Sequence, residues 1–176
     1  MCLLFIAGTS LAGEIKRLEL ERTESGFYLI DIELKVEADK EKVTALLTDY
    51  DYLTRLNSQI LESELIGITD DGASEVRTKV YSCGYLFCKT IKQVQTLQKL
   101  KNGSIVATIL PEQSDFHEGQ ATWTFETEDG SVIVHFQAKV HPRFWIPPLL
   151  NLWVMRRMIE NEMAETILNL EKLQPR

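Results

Sequence analysis

The side chains of this chain that could do covalent or proton-transfer chemistry are few: three cysteines, three histidines and a run of carboxylates near the C-terminus. Cys83 and Cys88 stand five residues apart in a C-x-x-x-x-C spacing. On one straight strand the pair would be separated by roughly 16 Å, whereas a disulfide needs Cα atoms within about 7 Å. Either the thiols are unbonded or the chain reverses between them. Gly84 permits a reversal, and strand-like stretches flank both cysteines. The favoured reading is a hairpin whose tip, residues 84–87, is closed by a Cys83–Cys88 bridge. Two reduced core cysteines are the alternative. A loop this small gains on the order of 2 kcal/mol from closure. The spacing suits neither a C-x-x-C redox pair nor a zinc site, so no metal is expected.

The histidines do not assemble a catalytic group. His117 follows Ser114, Asp115 and Phe116, and neighbours on one loop rarely align as nucleophile, base and orienter. Asp115 reads as a turn cap and Gly119 as the residue that permits a tight loop. His135 and His141 alternate on a face that reads as solvated. Glu160, Glu162 and Glu165 read as the wet face of a helix, with Arg156 and Arg157 at helical spacing from Glu160. No phosphate-cradling glycine loop or nucleophile elbow occurs, so no catalytic residue and no cofactor is assigned.

The residues better suited to function are apolar. Trp123, Phe125 and Phe136 lie on neighbouring strand-like segments, and Phe116, Phe144 and Trp145 at strand ends. With Leu152, Met155, Ile159 and Met163 they could line a pocket for an apolar ligand; the same residues would also serve a solid core. Tyr85, Leu86 and Phe87 are too apolar for an exposed turn. They could cover a cavity mouth, dock on a membrane or partner, or pack on the protein's own helices.

Elements must position these groups. At 176 residues the chain is one domain, and its net charge of −7 argues against nucleic acid as a partner. The first dozen residues, with Leu3–Ile6 apolar and Ser10-Leu11-Ala12 as a cleavage pattern, read as a truncated signal peptide. Residues 13–176 form the domain. Export to the periplasm follows from that reading and suits a cysteine pair; the alternative is a cytoplasmic protein. A strand is expected over 14–22. From Phe27 to Val36 apolar and polar residues alternate, the mark of a half-buried strand. Asp39 is placed to cap a helix carrying Val43, Leu46 and Leu47, and Asp49–Leu53 suggests a second short helix. Strands follow over 60–68, 74–83, 88–100, 104–110, 121–128 and 132–140, with 113–120 as a loop. Asn102-Gly103 and Asp129-Gly130 mark hairpins. From Pro148 to about Leu173, Leu152, Met155, Ile159, Met163, Ile167 and Leu170 recur at helical steps, one amphipathic helix of about 25 residues. It is the element long enough to cover the apolar face of the sheet.

This order, with Val43–Tyr50, Ser114-Asp115-Phe116-x-x-Gly119-x-x-x-Trp123 and Pro142-x-Phe144-Trp145-Ile146-Pro147-Pro148, resembles the START-like superfamily, also called SRPBCC. The nearest likeness is its bacterial polyketide cyclase/dehydrase or coenzyme-Q-binding-like branch, where the Cys83–Cys88 spacing also recurs. The resemblance implies an α+β helix-grip fold: a curved antiparallel sheet of about six or seven strands around the long C-terminal helix, with two short helices after the first core strand. It implies binding of a hydrophobic small molecule or lipid, quinone-, lipid- or polyketide-like. Two alternatives stand beside it: a cyclase or dehydrase, which needs a desolvated acid or base in the cavity, and a docking module using the 84–87 tip for transient membrane or protein contact.

Overall fold

A computed structural model of the chain describes residues 13–84, 87–147 and 152–175, with the side chain of Phe87 outside that description. The expected signal peptide, Tyr85 and Leu86 at the hairpin tip, and the Pro148 helix start lie outside the described residues, as does the Phe87 side chain.

The strands are β1 (Glu14–Arg22), β2 (Tyr28–Val36), β3 (Ile60–Ile68), β4 (Ser74–Gly84), β5 (Phe87–Lys99), β6 (Ile105–Ile109), β7 (Phe116–Glu128) and β8 (Ser131–Pro142). Helix α1 (Lys40–Leu47) and a 3₁₀ turn (Tyr50–Arg55) follow β2, and α2 (Leu152–Lys172) follows β8. All eight strands join one antiparallel sheet in the order β1-β2-β8-β7-β6-β5-β4-β3. This is the helix-grip arrangement, with eight strands in place of six or seven.

Alternation sets which face is covered. In β2, Tyr28, Ile32, Leu34 and Val36 are buried, while Asp31, Glu33 and Lys35 between them are partly exposed. Register carries the pattern across the sheet: Ile32 opposes Phe136, Leu34 opposes Val134, and Val36 opposes Val132. From α2, Ile167 and Leu170 close on that face, and Ile32, Val36, Val43, Val76, Val132 and Leu170 are almost fully enclosed. Burial of each such side chain stabilises the fold by about 1.5–3 kcal/mol.

Polar clips fix α2 to the sheet. One Glu171 oxygen accepts from the amide of Gly13 at 2.7 Å and from that of Glu37 at 3.0 Å. Asn169 Nδ2 donates to the Leu56 carbonyl at 3.1 Å.

Two expectations are corrected. Asp39 stands at the start of α1, but its side chain makes no cap; its main-chain carbonyl accepts from the Val43 amide at 3.0 Å. Residues 116–120 belong to β7, not to a loop. A register irregularity between Phe116 and Glu118 breaks the alternation there. Gly119 is therefore a strand residue, and the space a Cβ would need is filled by Ile109 and Val140. Ser114 and Asp115 continue the edge instead: Ser114 Oγ bridges the amide and carbonyl of Val94 at 2.9 and 3.0 Å, and Asp115 Oδ2 accepts from the Lys92 amide at 2.8 Å.

The hairpin reading of the cysteines holds. Cys83 and Cys88 are paired across β4 and β5 and joined by a disulfide.

Candidate functional site

A cavity of about 300 Å³ lies between the sheet and α2. Trp123, Phe136, Val134 and Leu97 form its floor from β7, β8 and β5; Met163 and Leu170 come down from α2. Leu53 and Leu56 close one side from the 3₁₀ turn and the residue after it. The Trp123 and Phe136 rings, opposite one another in register, stand 4.9 Å apart between centroids. A second apolar cavity of about 150 Å³ is lined by Phe116, Phe144, Ile146, Met155 and Ile159, among others, with Lys89 at its edge. Lys89 Nζ sits 4.8 Å from the centre of the Phe144 ring. A wider depression of about 390 Å³ on the outer face is lined partly by Glu19, Asp31, Gln137 and Lys139. Two of its polar groups are already satisfied, since Asp31 pairs with Arg17 at 2.7 Å and accepts from Gln137 at 2.8 Å. The inner cavity is the site, because it is apolar with a small number of converging polar groups.

Four of those polar residues, Asn57, Gln59, Glu162 and Thr166, meet at one junction. Asn57 Nδ2 donates to the Glu162 carbonyl at 2.8 Å and to Thr166 Oγ1 at 3.1 Å; its Oδ1 accepts from the Gln59 amide at 2.8 Å. Next to it, Ser58 donates its amide and hydroxyl to the Glu165 carboxylate at 3.0 and 2.9 Å. The 57–59 loop is thereby fastened to one turn of α2, and both present side chains to the cavity. Glu162 is the group with chemical capacity. Burial, and then the neighbouring Glu165 charge, push its carboxyl up to about 7 from the ordinary 4.5. Burial also raises the Tyr50 phenol in the same lining. Gln59 Oε1 is buried with no hydrogen-bond partner among the described residues.

Placing Glu162 with Glu160 and Glu165 on a solvated face is therefore corrected. Glu160 does lie outside, paired with Arg156 at 3.1 Å and Arg157 at 3.0 Å, and the two guanidiniums hold its carboxyl below the usual value. Glu162 lies three residues after Ile159, four before Thr166 and eight before Leu170, so it sits at the border of the apolar stripe. That spacing was the available signal. Asn57 and Gln59 carried none.

Comparison with known proteins accords with this geometry. The profile of the family described as "Polyketide cyclase / dehydrase and lipid transport" matches residues 30–174. The chain belongs to that family. No curated protein matches it in sequence. Among solved structures it resembles a START superfamily protein from Mycobacterium smegmatis, at 15% identity and TM-score 0.62, over 81% of this chain and 94% of that one. It also resembles the Zhui aromatase/cyclase from a Streptomyces species, at 14% identity and TM-score 0.60, over 82% and 92%. A third is the STAR-related lipid transfer protein from Xanthomonas axonopodis, at 16% identity and TM-score 0.55, over 88% and 96%. These likenesses are of fold.

Within this polyketide cyclase/dehydrase and lipid transport fold, the residues expected to line a pocket divide between the two cavities. Trp123, Phe136 and Met163 line the larger; Phe116, Met155 and Ile159 line the smaller. Phe125, Trp145 and Leu152 line neither. Phe125 is packed into the core. Trp145, after the end of β8, is 71% exposed, and Leu152, the first residue of α2, is 37% exposed. Trp153 is likewise 67% exposed. No group of three or more metal-ligating side chains occurs among the described residues. The His117 and His141 rings lie 5.0 Å apart, tilted by 53°, and His135 faces Glu33 at 3.7 Å, away from both cavities.

Proposed function

We propose that this protein binds and carries a hydrophobic small molecule or lipid in the cavity between the sheet and α2. The observation that carries the reading is the cavity itself: an apolar chamber lined from both the sheet and α2, with a single carboxyl inside among its described lining. The family, and structural neighbours that include a lipid transfer protein, support it. A quinone-, lipid- or polyketide-like molecule is the ligand proposed. Burial of its apolar surface would contribute about 25 cal/mol per Å². Native mass spectrometry of the purified protein tests this. A co-purified apolar mass, released on unfolding, is expected. Absence of any bound mass, together with failure to take up the neutral dye Nile red, overturns it.

One observation favours a second reading, a cyclase- or dehydrase-type enzyme: Glu162 is a desolvated acid that could both give and take a proton near neutrality. Turnover of a poly-β-ketone thioester that is lost in Glu162→Gln would support it; binding of that molecule without turnover would refute it.

The disulfide supports a further part of the proposal, that the protein works in an oxidising compartment after export. Fractionation of the native host is the measurement. Recovery in the cytoplasm with both thiols free would refute it.

A further inference from the structure

We propose that the polar end of the larger cavity selects an uncharged, hydroxyl-bearing apolar molecule over the corresponding carboxylate. The inference rests on the carrier reading and names the class of ligand that the same site would take.

Charge comes first. Among the described lining residues of this cavity there is no lysine, arginine or histidine. An anionic head entering it would be stripped of water with no cation to meet it, which is strongly unfavourable. It would also face the carboxyl of Glu162, with Glu165 one turn further along α2. From the 3₁₀ turn the ionisable group is Tyr50, and from the sheet the polar residue is Gln95; the other sheet residues of the lining are apolar. Lys89, which a negative head could seek, lines the smaller cavity and lies against the Phe144 ring.

Hydrogen-bonding capacity decides the rest. Asn57 spends both ends of its amide on α2 and Gln59, and Thr166 Oγ1 donates to the Glu162 carbonyl at 2.9 Å while accepting from Asn57. Gln95 Oε1 accepts from Gln93 Nε2 at 2.5 Å. What remains is the buried, unpartnered acceptor Gln59 Oε1, the Glu162 carboxyl, and the donors Gln59 Nε2, Gln95 Nε2 and the Tyr50 hydroxyl, none with a side-chain hydrogen bond among the described residues. The main chains of Gln59 and Glu162 are two hydrogen bonds apart, through Asn57. An orphaned buried acceptor is costly and is satisfied by an incoming donor. A hydroxyl can donate to Gln59 Oε1 and accept from a protonated carboxyl, and it can meet a side-chain amide in either orientation. Burial keeps Glu162 protonated up to about 7, so it offers that proton at neutrality and below.

The test uses delipidated full-length protein loaded with Nile red, and displacement by decan-1-ol and by decanoate at about pH 6 and about pH 8.5, either side of the Glu162 titration. Decanol is expected to displace the dye at roughly tenfold lower concentration than decanoate at the lower pH. Its affinity should fall severalfold at the higher pH in the wild type and not in Glu162→Gln, which keeps an uncharged donor. Gln59→Leu should reduce the preference for decanol to within roughly threefold. Equal displacement by the two probes, or a pH-dependent fall that persists in Glu162→Gln, overturns the head-group selection and leaves carriage standing. Failure of the wild type to take up Nile red, with no mass bound in native mass spectrometry, overturns both. The wild-type pH comparison needs no variant to fold.

Discussion

Glu162 makes stability depend on pH in a direction opposite to that of most carboxylates. Its folded-state value is about 7 against an ordinary 4.5. Between those values the folded protein holds a proton that the unfolded chain has released, so the folded state binds more protons and stability falls as pH rises. The contribution is full below about pH 4.5, declines through the interval and levels off above about 7. At 1.36 kcal/mol for each pH unit the interval is worth about 3 kcal/mol. For a domain of this size that is a fall in Tm of about 6–12 °C. Glu162→Gln removes the titrating group while keeping shape and a donor. Urea unfolding of delipidated wild type and variant, from about pH 5 to about pH 8.5, should give curves that diverge. The variant is expected to be the more stable at the alkaline end by about 3 kcal/mol, with the gap closing toward pH 5. Subtracting the two removes the common contribution of the histidines. Parallel stability profiles would refute the reasoning, because a solvated Glu162 would titrate alike in both states.

Further outcomes follow from other contacts. Gly119→Ala should cost about 1–3 kcal/mol through the clash with Ile109, and Ile109→Val, which removes the nearest methyl, should recover part of it in a double-mutant cycle; simple additivity would refute the contact. Asn57→Ala should cost about 2–3 kcal/mol by denaturant unfolding, since it frees the 57–59 loop from α2 and leaves buried polar groups unpaired; a loss below about 0.5 kcal/mol would count against the clip. Thiol titration of the unfolded, unreduced protein should find Cys83 and Cys88 unreactive, and reduction should lower stability by no more than about 2 kcal/mol, because β4 and β5 remain paired on both sides of the bridge. Two free thiols without reductant would rule out the bridge.

Much of the fold was legible where one periodicity dominates. Tyr28–Val36 and Val132–Val140 alternate cleanly, and their pairing puts Ile32 against Phe136 as two inward residues must be. Asp129 and Gly130 both adopt positive φ, 49° and 83°, the turn that an Asp-Gly pair permits. The start of β7 was hidden because Ser114, Asp115 and Gly119 are turn formers by type. Here they serve an edge: Ser114 and Asp115 bond β5 through their side chains, and Gly119 makes room for Ile109. The candidate site was half legible. Trp123, Phe136 and Met163 follow from strand and helix periods. Glu162 did not, because a carboxylate beside an apolar stripe reads as solvated until the opposing wall is known. That wall includes a loop whose place depends on Asn57, more than a hundred residues earlier in the chain.

The position of α2 in chain order has a consequence for biogenesis. The helix is made after every strand, yet Ile167 and Leu170 supply the cover for Ile32, Val76 and Val132. While the chain is emerging, the hairpins can pair but the face they share has nothing to bury it. Glu171 joins α2 to Gly13, a closure across 158 residues. Contacts so distant in sequence make for slow folding. Until α2 has been made, the apolar face of the sheet has no helix to cover it. The cavity comes into being in the same late step that completes the core, so a ligand could be enclosed as the protein folds.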